Sequence, residues 1–244
     1  DSATCVTKYQ IYRNDYNNEI YEDAIKNWRW VFNNCPQFNE YIFSNAPKII
    51  YHQIKKNDNN KSAYIDTLMM VYDQRIKYYG KEEVILGYKG IDLLKYDKTK
   101  FEDAYCMLKQ SVENSGNSLR PDVIVSYFKS ATFMEKNNAD FEKQDVLDIY
   151  VIISEIIDYN LQSGSKYERQ YKSAQSSVEK LFTPYASCED LIIVFQDKFE
   201  DRKDDINFLK RITLLLSKKK CTENELYFSA ATFMHQLEPS SSSA

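Results

Sequence analysis

The chain has 244 residues, 43% of them hydrophobic, with 5 Gly, 5 Pro and a formal net charge of −4. So few turn breakers exclude an all-β chain built from many hairpins and favour helices with short connections. Charges of both signs are mixed along the chain, which gives no electrostatic footprint for nucleic acid.

The elements read as helix pairs. Thr4 to Asn17 is the first helix, broken by Asn17 and Asn18, and Tyr21 to Asn34 runs back beside it. In the second helix Ala24, Trp28, Val31 and Phe32 recur at steps of three and four, which places them on one face. Pro36 ends that run, because proline cannot continue a helix. Asn45 is the expected cap of a helix that carries Pro47 in its first turn and runs to about Lys56. Lys61 to Tyr79 returns and stops at Gly80. Further pairs follow at Glu82 to Leu94 with Phe101 to Glu113, Pro121 to Lys136 with Phe141 to Asn160, Lys166 to Phe182 with Cys188 to Glu200, and Asp205 to Lys219 with Glu223 to Leu237. Thr222-x-x-Glu225 fits a capping box for the last helix.

Val146 to Tyr159 is strongly apolar but carries Asp148, Glu155 and Asp158, so it reads as a buried helix and not a membrane span. Asp197 to Asp205 (DKFEDRKDD) reads as a solvated helix end and turn. The segment YFKSATFM from Tyr127 returns as YFSAATFM from Tyr227, in different helices of their pairs; it marks similar demands on a helix face.

The order Ala24-x3-Trp28-x2-Val31-x4-Pro36 resembles the second half of a tetratricopeptide repeat (TPR), and Ala104-x3-Leu108-x2-Ser111-x4-Gly116 repeats it. The resemblance, to TPR or TPR-like proteins of the exported bacterial kind, is clear over residues 4–36, fair over 82–116 and 205–239, and poor over 120–200. First helices depart from the family pattern: the first unit has Lys8, Ile11, Tyr12 and Asp15 where the family expects Trp, Leu, Gly and Tyr. The resemblance implies an all-α fold, a right-handed α-solenoid of antiparallel helix pairs over residues 1–244 as one repeat domain. About six hairpins at a spacing of about 40 residues would build it. A more general α-solenoid or helical bundle stays open. Ser240 to Ala244 follow Pro239 directly, so the expectation includes an N-terminal part of a longer repeat protein.

The implied function is a non-catalytic scaffold that holds a protein or peptide segment, extended or helical and with acidic character, in a concave groove lined by first helices. Residues of that face would be Tyr9, Arg13 and Tyr16, then Gln53, then Lys89 and Leu93, then Lys129. Tyrosine supplies contact area at low side-chain entropy cost, and Arg or Lys holds carboxylates. Two other classes stand beside it: a helical glycan-binding or nutrient-uptake lipoprotein, and an enzyme with a site between helices. The chain has no Gly-rich phosphate loop and no Gly-x-Ser-x-Gly elbow. His52 and His235 have no neighbours at metal-ligand spacing, so no metal, cofactor or catalytic residue is expected.

Four of the five cysteines fall where antiparallel helices bring chain ends together. Cys5 begins one helix and Cys35 ends its partner; Cys188 begins a helix and Cys221 follows the end of the next. Two disulfides, Cys5–Cys35 and Cys188–Cys221, are therefore expected, with Cys106 reduced and packed in the core. They imply an oxidising compartment, periplasmic or extracellular. The start at Asp1 without Met reads as a mature product whose signal segment is gone.

Overall fold

The structure, a computed structural model, describes residues 2–238. The expectations for the start at Asp1 and for the end at Pro239 to Ala244 lie outside these residues. Among the described residues there is no strand, so the all-α expectation holds. The helices are α1 (Ser2–Asn17), α2 (Tyr21–Asn34), the single turn α3 (Tyr41–Ser44), α4 (Ala46–Lys56), α5 (Lys61–Tyr79), α6 (Glu82–Tyr96), α7 (Phe101–Ser115), α8 (Pro121–Asn137), α9 (Lys143–Gln162), α10 (Glu168–Phe182), α11 (Cys188–Arg202), α12 (Ile206–Lys218) and α13 (Glu225–Leu237). No helix among the described residues is long and apolar enough to cross a membrane.

The chain forms two compact units, Asp1–Ser130 and Ala131–Ala244, with the boundary inside α8. In the first unit, helices adjacent in sequence pack on one another from α1 through α7. The stripe Ala24, Trp28, Val31 and Phe32 is buried as its period requires. The Trp28 indole Nε1 donates to the Ile42 carbonyl at 2.7 Å, which fastens α3 over α2. Asn45 stands at the N-cap of α4 as expected, but its backbone is already helical and its side chain makes no capping hydrogen bond. Gly80 ends α5 with a positive φ of 68°, a conformation that glycine adopts without strain.

In the second unit, α9 packs on α10 and α11, and α12 packs on α11 and α13. Ion pairs Lys143–Asp190, Glu155–Lys198 and Asp158–Arg202 run in the same order along α9 and α11, so these two helices lie parallel. α9 is buried on most sides, and Ile153, Ile157 and Tyr150 are almost fully covered. The cap of α13 is Asn224, whose side chain accepts from the Leu226 amide at 2.8 Å. An N-cap acceptor two residues further on displaces the capping box expected from Thr222 and Glu225.

Both disulfides are present. Cys5 and Cys35 have Cα atoms 6.1 Å apart, and Cys188 and Cys221 5.7 Å apart, within the usual range for a bridge. Cys106 is free but exposed, not packed in the core. Helix α7 buries Ala104, Leu108, Ser111 and Val112, and residue 106 falls off that face. Two disulfides fit a chain that acquires its fold outside the cytoplasm.

Candidate functional site

The side chains that combine recognition chemistry with exposure lie on α1 and on the helices beside it in the first unit. Tyr12 points into the core and is fully buried. Tyr9 and Tyr16, three positions before and four after it, share its side of α1, Arg13 is the next residue round the helix, and all three come out half-buried at the rim. The Tyr9 ring meets Tyr12 edge-on at 5.2 Å and Phe38 at 5.1 Å. The Arg13 guanidinium sits 4.5 Å from the Tyr41 ring centroid and 5.9 Å from that of Tyr16. Phe38 and Tyr41 are 42% and 53% exposed. Burial raises the Tyr9 hydroxyl pKa, against the pull of the Arg13 charge. The three positions expected on α1 are thus brought together. Phe38 and Tyr41, in the connector after Pro36, complete the patch; their large rings on a chain segment with little core to join were the available signal.

The next helix on this face is α4. Lys48 lies 5.8 Å over Tyr16 and 5.4 Å over Tyr21, and its Nζ pairs with Glu19 at 3.1 Å. Gln53, expected in the groove, is buried with Ile49, Ile50 and Ile54, and its Oε1 accepts from Asn57. Lys48, Tyr51, His52 and Lys55 form the open side of α4 instead. On α6, Leu93 belongs to the core and Lys89 turns inward to pair with Asp73. The open stripe of α6 is Val84, Tyr88, Ile91 and Lys95. Each mismatch is a rotation of about 100° per residue around the helix axis. Lys129 is exposed on α8.

A buried carboxylate anchors the seam between α4 and α6. Asp92 is buried, and its Oδ2 accepts the hydroxyls of Tyr51 and Tyr72 at 2.5 Å each. Burial raises the Asp92 pKa, while the two tyrosine hydroxyls and the Lys95 charge oppose it. Above this seam the Tyr51 and Tyr96 rings lie 5.6 Å apart, and the Lys95 ammonium lies 5.3 Å and 4.7 Å from their centroids. At the α6–α8 step, Arg120 lies 4.6 Å over Tyr88 and forks onto Asp122 at 3.0 and 2.8 Å. Every step along α1, α4, α6 and α8 therefore carries a cation over a tyrosine ring, an attraction of about 0.5–2 kcal/mol each. Lys48 and Arg120 also have carboxylate partners; among the described residues Arg13 and Lys95 have none within ion-pair distance.

The second unit has an open hollow of about 380 Å³ between α11 and α13, edged by Gln196, Glu200, Asn224, Glu225 and Ser229. No group of three or more His, Cys, Asp or Glu able to hold a metal occurs among the described residues. The chain matches no known protein-family model, and no curated protein matches it.

Proposed function

We propose that the protein is a TPR-like α-solenoid that works as a non-catalytic scaffold, holding a protein segment of acidic character along the α1, α4, α6 and α8 face of its first unit. The observation that carries this reading is the cation–tyrosine row, and within it Arg13. Its guanidinium lies by the exposed Tyr41 ring and the half-buried Tyr16 ring and has no carboxylate of its own among the described residues. A stacked, oriented guanidinium keeps donors for a carboxylate, and the neighbouring rings offer apolar contact that loses little entropy on binding. Parallel order along α9 and α11, and sequential packing of α1 through α7 in the first unit, support a solenoid of helix pairs. The two disulfides support a periplasmic or extracellular setting.

A photoreactive phenylalanine analogue at position 41, in protein exported by its own cell, tests the reading. The expected cross-link is to a protein segment containing Asp or Glu. With that segment as ligand, Arg13→Ala and Lys95→Ala are each expected to weaken binding by roughly 1–3 kcal/mol. Cross-links to glycan alone, or unchanged affinity in the double variant with circular dichroism intact, would overturn it.

A further inference from the structure

We propose that the protein self-associates through α13, with two copies packed antiparallel about a two-fold axis close to residue 230. The starting observation is one sequence in two environments. Six of eight positions are identical between Tyr127–Met134 and Tyr227–Met234. In α8 this sequence is covered: Phe128 and Ala131 are 0% exposed, Tyr127 3% and Thr132 8%. In α13 only Leu226 and Ala230 are buried, and Phe228 is 58% exposed. Phe233 packs edge-on against Phe199 at 5.9 Å, and Met234 Sδ takes the Thr213 hydroxyl at 4.0 Å. One side of α13 is thus occupied by α11 and α12. A stripe that starts at Glu225, on the rim of the hollow, and continues through Phe228, Ala231, Thr232 and His235 has no layer over it among the described residues, unlike its counterpart in α8.

The chemistry of this stripe fits a second copy of itself. In an antiparallel pair centred at residue 230, Glu225 faces His235 of the partner subunit, Phe228 faces the partner's Thr232, and the same contacts repeat by symmetry. An acceptor meets a donor at each end. The Phe228 ring is placed over the partner's Ala231, whose small side chain lets the helices approach. A parallel pair would set Glu225 on Glu225 and ring on ring. The helix spans about 20 Å, so the shared area is small and association is read at high protein concentration.

Sedimentation velocity on the full chain carrying Cys106→Ser, which removes the exposed thiol as a source of cross-linked dimer, tests the proposal across a concentration series reaching hundreds of micromolar. The expected result is a mass that rises from monomer to dimer. Phe228→Glu, at an exposed position, is expected to weaken the dimer at least about tenfold with the circular dichroism spectrum unchanged. Glu225→His and His235→Glu are each expected to weaken it, and the two together to restore it. A mass that stays monomeric, or a dimer indifferent to Phe228→Glu, overturns the proposal. If α13 then proves to be covered by a different protein, that too counts against it. Failure of the reciprocal pair to restore association overturns the antiparallel register.

Discussion

Asp158 holds two arginines in the second unit. Its two carboxylate oxygens accept from the Nη atoms of Arg211 at 2.9 and 3.0 Å, and Arg202 adds a third contact. Asp158 and Arg211 are both buried. Arg202 also holds Asp205, the N-cap of α12; burial would raise the Asp205 pKa, but the Arg202 partnership wins and lowers it. A buried ion pair adds little net stability over an apolar pair, but removing one member strands the other charge. Asp158→Ala is therefore expected to cost about 3–5 kcal/mol in urea unfolding, and Asp158→Leu combined with Arg211→Met far less than that, since Arg202 keeps Asp205. A single-variant loss under about 1 kcal/mol would show that water reaches the pair. Little of this was legible beforehand. Asp197 to Asp205 reads as a solvated run because every charge in it has charged neighbours. Arg202 is drawn inward by Asp158, a partner 44 residues away that no local pattern reveals, and it holds Asp205 beside it.

At the scale of the element, legibility depended on how one-sided a helix is. α2 and α7 bury one face, so Ala24, Trp28, Ala104 and Leu108 announce that face by spacing alone. α6 is covered nearly all round, with Ile85, Leu86, Leu93 and Leu94 pointing in several directions. Periodicity then fails to name the open stripe: Lys89 stands one residue from Tyr88, and Leu93 two residues from both Ile91 and Lys95. The aliphatic stem of Lys89 lies in the interior while its ammonium reaches Asp73, which a charged residue in a sequence does not advertise. The glycines of α6 are the other hidden feature. A Cβ at Gly90 would lie 2.7 Å from Leu108 Cγ and 3.1 Å from the Ala104 carbonyl, and one at Gly87 would lie 2.8 Å from Val123 and 2.9 Å from Ser111 Oγ. Helix propensity alone favours alanine over glycine by about 1 kcal/mol. The close approach of α6 and α7 reverses that sign: Gly90→Ala is expected to destabilise by about 1–3 kcal/mol, because the Ala104 backbone must move. A stabilised Gly90→Ala protein in denaturant titration would refute the packing.

For the whole molecule, the helix-pair rhythm and the disulfide partners were readable because both follow from chain reversal: a short connection between two helices returns the end of one to the start of the other. The division at Ser130 was not, because it falls inside α8 and leaves no break in composition. Each unit holds one disulfide, Cys5–Cys35 in the first and Cys188–Cys221 in the second. Sequence separations of 30 and 33 residues correspond to loop-closure contributions of about 3–4 kcal/mol apiece in the chain-entropy model. In the proposed stack of helix pairs stability is gathered from near neighbours, so opening is local before it is global. Replacing Cys5 and Cys35 by serine is then expected to raise amide exchange in α1 and α2 while α11 to α13 keep their protection. Replacing Cys188 and Cys221 is expected to do the converse. Hydrogen exchange read by mass spectrometry on the two variants checks both halves at once. If either variant loses protection evenly from α1 to α13, the chain opens as a single cooperative body, and the independence of the two units is refuted.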